Sequence, residues 1–222
     1  MKKNHKQRRR KRRESYSLVP PGTPPGTVIV HPEAAPPTIR ILAYGPTEVL
    51  EENVVEAHRV RDFLDKQPVT WVDVEGLGDA STIHTLGEIF GVHRLVLEDI
   101  VTVHQRAKIE QYGDQLFIVA RAVYLDQHLD SEQISLFVGK NFVLSFQEGR
   151  PGDCLEAIRE RIRKKGGRIR DAGHDYLAYA LLDAIVDSYF PILEAYGERL
   201  EILEDEILLR PQHNSVARIH SI

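Results

Sequence analysis

The sequence predicts an α/β (α+β) chain organised on a mixed, at least partly antiparallel sheet and continued by long C-terminal helices. Three observations carry this. The apolar runs 134–138 and 142–146 flank Gly139-Lys140-Asn141, a Gly/Asn turn of the kind that joins antiparallel strands. Residues 116–125 are apolar on both faces apart from Arg121, as a central strand covered on both sides should be. From Asp175 to Leu209, residues Leu182, Ile185, Tyr189, Ile192, Tyr196, Leu200, Leu203 and Ile207 recur at three- and four-residue steps, which makes a continuous apolar stripe along one long helix.

The remaining elements follow in chain order. Residues 2–13 are dominated by Lys and Arg and have no apolar period, so they read as a solvated basic arm, with an anionic lipid surface as the competing reading. Between Ser15 and Pro37 lie nine Pro and Gly residues, among them Pro20, Pro21, Gly22, Pro24, Pro25 and Gly26. These remove backbone donors and disfavour helix, giving a linker over 1–37 with an edge strand conceivable at Val28–Val30. The folded body is expected over 38–172. It opens with a strand at 38–43, on the alternation of Ile39, Ile41 and Ala43. Thr47 is expected to cap a helix through Lys66, with Leu50, Val54, Val55, Val60 and Leu64 buried and a break near Asn53. A strand at 69–74 and a helix capped by Asp79 or Ser81 follow, the helix burying Ile83, Leu86, Ile89 and Phe90 and stopping at Gly91. A short helix with Leu95, Val96 and Ile100 inside then ends on the adjacent acids Glu98 and Asp99. Gly152-Asp153 opens a helix closed by Gly166-Gly167. The region 173–222 is the long helix, which Pro191 should bend, and the start of another, as though a longer protein had been cut there.

Composition narrows the function. The 222 residues carry 29 Lys+Arg against 33 Asp+Glu, a net charge of −4 that the basic arm makes distinctly uneven. One cysteine, Cys154, excludes a disulfide framework and fits a reducing compartment; Asp153 beside it offers no basic group, so it reads as structural. No signal peptide is visible, and no uninterrupted apolar run reaches the length of a membrane helix, so the chain as it stands reads as soluble. There is no Gly-rich phosphate loop, no nucleophile elbow and no Cys/His set with zinc spacing. His58, His84, His93, His104, His128 and His174 share no helical face. What remains is carboxylate chemistry. Glu98 and Asp99 point about 100° apart on a helix, while Asp183 and Asp187 lie one turn apart on one side of theirs. Such acids are usually solvated or bridged to arginine; as a ligand set, hard oxygens without nitrogen or sulfur favour a hydrated divalent cation such as Mg2+.

The run Phe90-Gly91-Val92-His93-Arg94-Leu95-Val96-Leu97-Glu98-Asp99-Ile100, with His104-Gln105-Arg106-Ala107-Lys108-Ile109-Glu110 after it, resembles the cytoplasmic part of the CorA family of magnesium transporters. The likeness continues through Trp71-Val72-Asp73-Val74, Ser131-Glu132-Gln133-Ile134-Ser135-Leu136, Phe146-Gln147-Glu148, Arg159-Glu160-Arg161-Ile162-Arg163 and Asp175-Tyr176-Leu177, in order along most of the chain from Pro21. Arg94 and Ala107 stand where family members commonly carry Pro.

The resemblance implies a sheet sandwiched between two helical layers, long helices leading to the membrane, and a homopentamer. It further implies regulatory Mg2+, for which Ca2+ or Co2+ could substitute, held between subunits by Glu98, Asp99 and Asp183. It places the full-length protein in the inner membrane with this part on the cytoplasmic face. The family's membrane helices and Gly-Met-Asn signature would follow residue 222, together with a partner acid on the stalk. Three rivals stand beside this reading: a zinc transporter of the same superfamily, a metal-dependent hydrolase using the same acids, and a nucleic-acid binder acting through residues 2–13. No catalytic base or nucleophile groups with the acids, so an enzyme is not expected, nor is specific nucleic-acid recognition.

Overall fold

The computed structural model describes residues 20–125, 129–150 and 152–209. Its centre is a seven-stranded mixed sheet: β1 (Thr38–Tyr44), β2 (Val49–Val54), β3 (Val69–Glu75), β4 (Lys108–Tyr112), β5 (Gln115–Leu125), β6 (Leu129–Gly139) and β7 (Phe142–Gln147). The strands lie in the order β2-β1-β3-β7-β6-β5-β4, and every neighbouring pair is antiparallel except β3 with β7. Among the described residues there are five α-helices: α1 (Ala80–Phe90), α2 (Arg94–Val101), α3 (Glu156–Arg163), α4 (His174–Asp187) and α5 (Phe190–Leu209).

Period-two alternation divides each strand between two cores. Ile39, Ile41, Ala43, Val72 and Val74 face a core closed by Ile83 and Leu86 of α1 and Val96 and Ile100 of α2. Leu42, Tyr44, Trp71, Ile134 and Leu136 face the other, closed by Ile158 and Ile162 of α3 and Leu177 and Leu181 of α4. The helices α2 and α4 therefore cover opposite faces of one sheet, an arrangement that later decides where the acids lie.

The β6–β7 hairpin turns at Lys140-Asn141, with Asn141 in the left-handed region (φ 67°) that asparagine tolerates. Asp79 caps α1, accepting from the N–H groups of Ser81 (3.1 Å) and Thr82 (3.0 Å), and Gly91 closes it with a φ of 64°. Asp79→Ala is expected to cost about 1 kcal/mol in urea unfolding, because two of the first-turn donors lose their acceptor.

Several expectations are corrected. The region 47–66 is not a helix but β2 followed by a 3-10 turn over Ala57–Phe63. Gly45 N–H bonds Glu48 C=O at 3.0 Å, returning the chain at once, and β-branched Val49 and Val54 then pair along the free edge of β1. Tertiary pairing here overrides an approximate helical spacing. Of the expected core positions Val54 and Val60 are buried, whereas Val55 is 96% exposed. Val28 and Val30 form no strand but lie partly buried on the first core. Leu95 is 41% exposed, and its place inside α2 is taken by Leu97. The strand β5 is second from an edge rather than central, because β4 lies outside it.

The long helix is two helices. Pro191 lacks the N–H that would bond the carbonyl of Asp187, and Asp187 is where α4 ends. Ser188 fills the break, its hydroxyl donating to Ile185 C=O (2.7 Å) and accepting from Val123 N–H (3.4 Å). Pro191 then sits in the first turn of α5, where proline is tolerated. Beyond the break Ile192 and Leu203 of the stripe are buried and Leu200 is exposed, as are Leu193, Ile202 and Leu208, which lie off the stripe. The span His174–Leu208 also contains an 18-residue window of mean hydropathy 1.3, long and apolar enough by composition alone to cross a membrane. A third of that window is buried in this chain, and the apolar face of α4 belongs to the second core. The basic arm, His128 and the start of a helix after Leu209 lie outside the described residues.

Candidate metal centre

Helix α2 follows α1 after a turn at Gly91, and His93 caps it by accepting from Leu95 N–H through Nδ1 at 3.3 Å. Val96, Leu97, Ile100 and Val101 bind it to the first core. Glu98 and Asp99 consequently fall in its last turn, half-buried at the rim. A helix C-terminus carries partial negative charge, so two carboxylates placed there raise a field that favours a cation.

Glu98 is met from the N-terminal side. Residues 20–27 form two consecutive Pro-Pro-Gly-Thr turns in which the hydroxyls of Thr23 and Thr27 donate to the carbonyls of Pro20 (2.7 Å) and Pro24 (2.6 Å). Gly26 (φ 81°) presses so closely on Arg94 that an added Cβ would lie 2.8 Å from Arg94 Cβ. Its N–H donates to Glu98 Oε2 at 2.6 Å.

Asp99 is met from β4 and β6. Lys108 Nζ donates to Asp99 Oδ2 at 2.6 Å and to Glu110 Oε1 at 3.0 Å, and Gln105 Nε2 makes a short bond to Asp99 Oδ1. Gln133 Nε2 holds the Asp99 main-chain carbonyl at 3.0 Å, and Tyr112 donates to the other Glu110 oxygen at 3.1 Å. Burial works against the Lys108 ammonium, yet its bonds to Asp99 and Glu110 outweigh this and hold its pKa above the ordinary lysine value. Within this copy the Lys108 ammonium already neutralises the two carboxylates where they converge. Hard oxygens alone would hold a divalent ion through its waters.

Asp183 is elsewhere. It lies exposed on α4, across the sheet, beside a cavity of about 880 Å³ lined also by Tyr124, Asp153, Arg161 and Asp187 near the α4–α5 break. Within one copy the structure thus brings Glu98 and Asp99 to one rim and leaves Asp183 on the opposite layer. Among the described residues no three His, Cys, Asp or Glu side chains converge on a point. Lys108, Gln105, Gln133 and Glu110 were all inside the motif-bearing stretches, but as a strand neighbour, two amides and one acid they carried no signal of their own. Cys154 is structural: burial first, then the Asp153 and Glu132 charges, push its thiol up to about 12.

The model of the CorA-like Mg2+ transporter protein family matches residues 66–222. The cobalt/magnesium transport protein CorA of Thermotoga maritima is 40% identical over 205 residues, covering 90% of this chain and 58% of that protein. The putative metal ion transporter YfjQ of Bacillus subtilis is 31% identical over 136 residues, 61% of this chain and 41% of that one. The chain thus spans about half the length of these relatives. The complete structure of the CorA magnesium transporter from Methanocaldococcus jannaschii superposes with a TM-score of 0.62 at 16% identity, over 87% of this chain and 56% of that one. The ZntB cytoplasmic domain from Vibrio parahaemolyticus gives 0.57 at 14%, over 82% and 69%. At these identities the structural likeness concerns the fold.

Proposed function

The chain belongs to the CorA-like Mg2+ transporter family, and from that premise we propose that it is the regulatory part of a CorA-type Mg2+ and Co2+ transporter. In this reading residues 38–172, with α4 closing their second core, form the cation-sensing body, and the rest of 173–222 leads toward a membrane part that the longer relatives possess. The full-length protein is a homopentamer in the inner membrane with this body on the cytoplasmic face. Glu98 and Asp99 of one subunit face Asp183 of the next, and Mg2+ is the regulatory ion, with Ca2+ or Co2+ able to replace it.

The observation that supports the reading is the family match together with two half-buried acids, Glu98 and Asp99, in the last turn of α2, at the negative end of a helix. Glu98, Asp99 and Asp183 facing one another across a subunit seam repel, and repulsion favours separated subunits and an open pore. A divalent ion held there supplies the neutralising charge that favours the closed arrangement. By linkage, whatever opens the pore weakens the seam's hold on the ion.

Asp99→Ala in the full-length protein is expected to keep ion uptake active at internal Mg2+ concentrations that shut the parent, read with a Mg2+-sensitive dye in loaded vesicles. Unchanged shut-off would remove Asp99 from the sensor. The fold likeness to ZntB supports a second reading, zinc transport, and uptake measured in parallel with Mg2+, Co2+ and Zn2+ separates the two.

A further inference from the structure

We propose that Lys108 is a built-in competitor for the cation at Asp99, so that the strength of its ion pair sets the divalent concentration to which the protein responds. The inference rests on the reading of Asp99 as a sensor group and adds a residue to it.

In this chain each oxygen of the Asp99 carboxylate has a partner. One oxygen accepts from Gln105, and the other takes the Lys108 ammonium at 2.6 Å. The same ammonium reaches Glu110 at 3.0 Å and lies 5.7 Å from the centre of the Phe117 ring, so it bridges two acids over an aromatic face. An approaching divalent ion must therefore either share Asp99 with a unit positive charge a few Å away or displace it. Displacement is mechanically open. Lys108 is the first residue of an edge strand, half-exposed, on a flexible four-carbon stem, and its ammonium can leave for solvent without disturbing the β4–β5 ladder. Asp99 stays where it is, because Gln105 and Gln133 hold its side chain and carbonyl. Lys108 thus tunes affinity while the amides keep the geometry.

The test is a MgCl2 titration of the full-length protein and of its variants, following resistance to trypsin and heat of binding, with neither readout depending on transport. Lys108→Gln is expected to lower the Mg2+ midpoint about 10-fold, since a unit charge beside a divalent ion in a partly screened site is worth at least that factor. Lys108→Met, which keeps the stem on Phe117, should act the same way and guards against a folding defect in the first variant. Lys108→Arg keeps the charge and should leave the midpoint at or above the parent's. A midpoint unchanged or raised in both charge-removing variants overturns the inference. Asp99→Asn separates it from the reading beneath it. Loss of the Mg2+ response in Asp99→Asn with no shift in the Lys108 variants defeats the competitor alone, whereas a parental response in Asp99→Asn defeats the sensor assignment and the competitor with it.

Discussion

Arg159→Ala is expected to destabilise the fold by on the order of 3–5 kcal/mol, because it strands a carboxylate deep in the second core. Arg159 of α3 is buried completely, makes short bonds to Asp73 and Asp153, and reaches Glu156 at 2.7 Å. Its guanidinium also lies 5.4 Å from the Trp71 ring. Asp73 in β3 is buried as well and accepts from Ser145 Oγ (2.5 Å) and Gln147 Nε2 (3.2 Å), while Trp71 Nε1 donates to the same Ser145 hydroxyl at 2.8 Å. Removing the guanidinium leaves Asp73 with neutral partners in an apolar surround, and the cost is that of an uncompensated buried charge. The pair itself is a different matter, since desolvation offsets much of its attraction. The double variant Asp73→Leu with Arg159→Met should therefore recover most of the loss in urea unfolding. A double variant no better than Arg159→Ala would mean that the network fixes the α3 docking in a way apolar contact does not replace.

Glu132→Gln is expected to flatten the pH dependence of stability between about pH 4.5 and 7. Glu132 is 1% exposed on β6; Tyr124 donates a short bond to one of its oxygens, and the other has no hydrogen-bond partner. Burial pushes its pKa up to about 7, with the Tyr124 bond pulling the other way and the Glu148 charge pushing further. The folded chain then binds more protons than the unfolded one between the model-peptide value and 7. Stability from this group falls as pH rises through that window and is level above it, a loss of about 3 kcal/mol at full ionisation. Glu51, Glu156 and Asp79, whose pKa values are lowered, act with the opposite sign, their contribution being lost as the solution is acidified. Comparing urea midpoints of parent and variant across pH 5–8 isolates Glu132, because the lowered acids are common to both. Parallel profiles would show that Glu132 is ionised throughout.

Much of this architecture is legible in the sequence. The hairpin at Gly139–Asn141, the Asp79 cap and the Gly91 stop are local devices, and local chemistry suffices to find them. The strand β2 is not, because Leu50, Val54 and Val60 mimic a helical face and only the open edge of β1 makes strand the better choice. Strand β4 escaped for a related reason: its apolar Ile109 is 65% exposed, so no alternation toward a core marks it. At the candidate centre the acids stood out by type and by resemblance. Their partners did not, since Lys108, Gln105 and Gln133 matter only through where β4 and β6 deliver them. Glu132 lies within one of the runs that carry the resemblance, but nothing in the string of letters says that a glutamate is buried.

The two cores on opposite faces of one sheet restrict how copies of this chain can be joined. In the proposed seam the α2 rim of one molecule meets α4 of another, and because α2 and α4 cover opposite faces of the sheet the contact is heterologous. With the two surfaces on opposite layers, a twofold axis cannot satisfy both at a single contact. Repetition of such a link propagates in one direction, and it either closes into a cyclic ring or runs on as a filament. If the proposed seam between α2 and α4 forms, closure into a ring rests on the angle at which successive molecules meet.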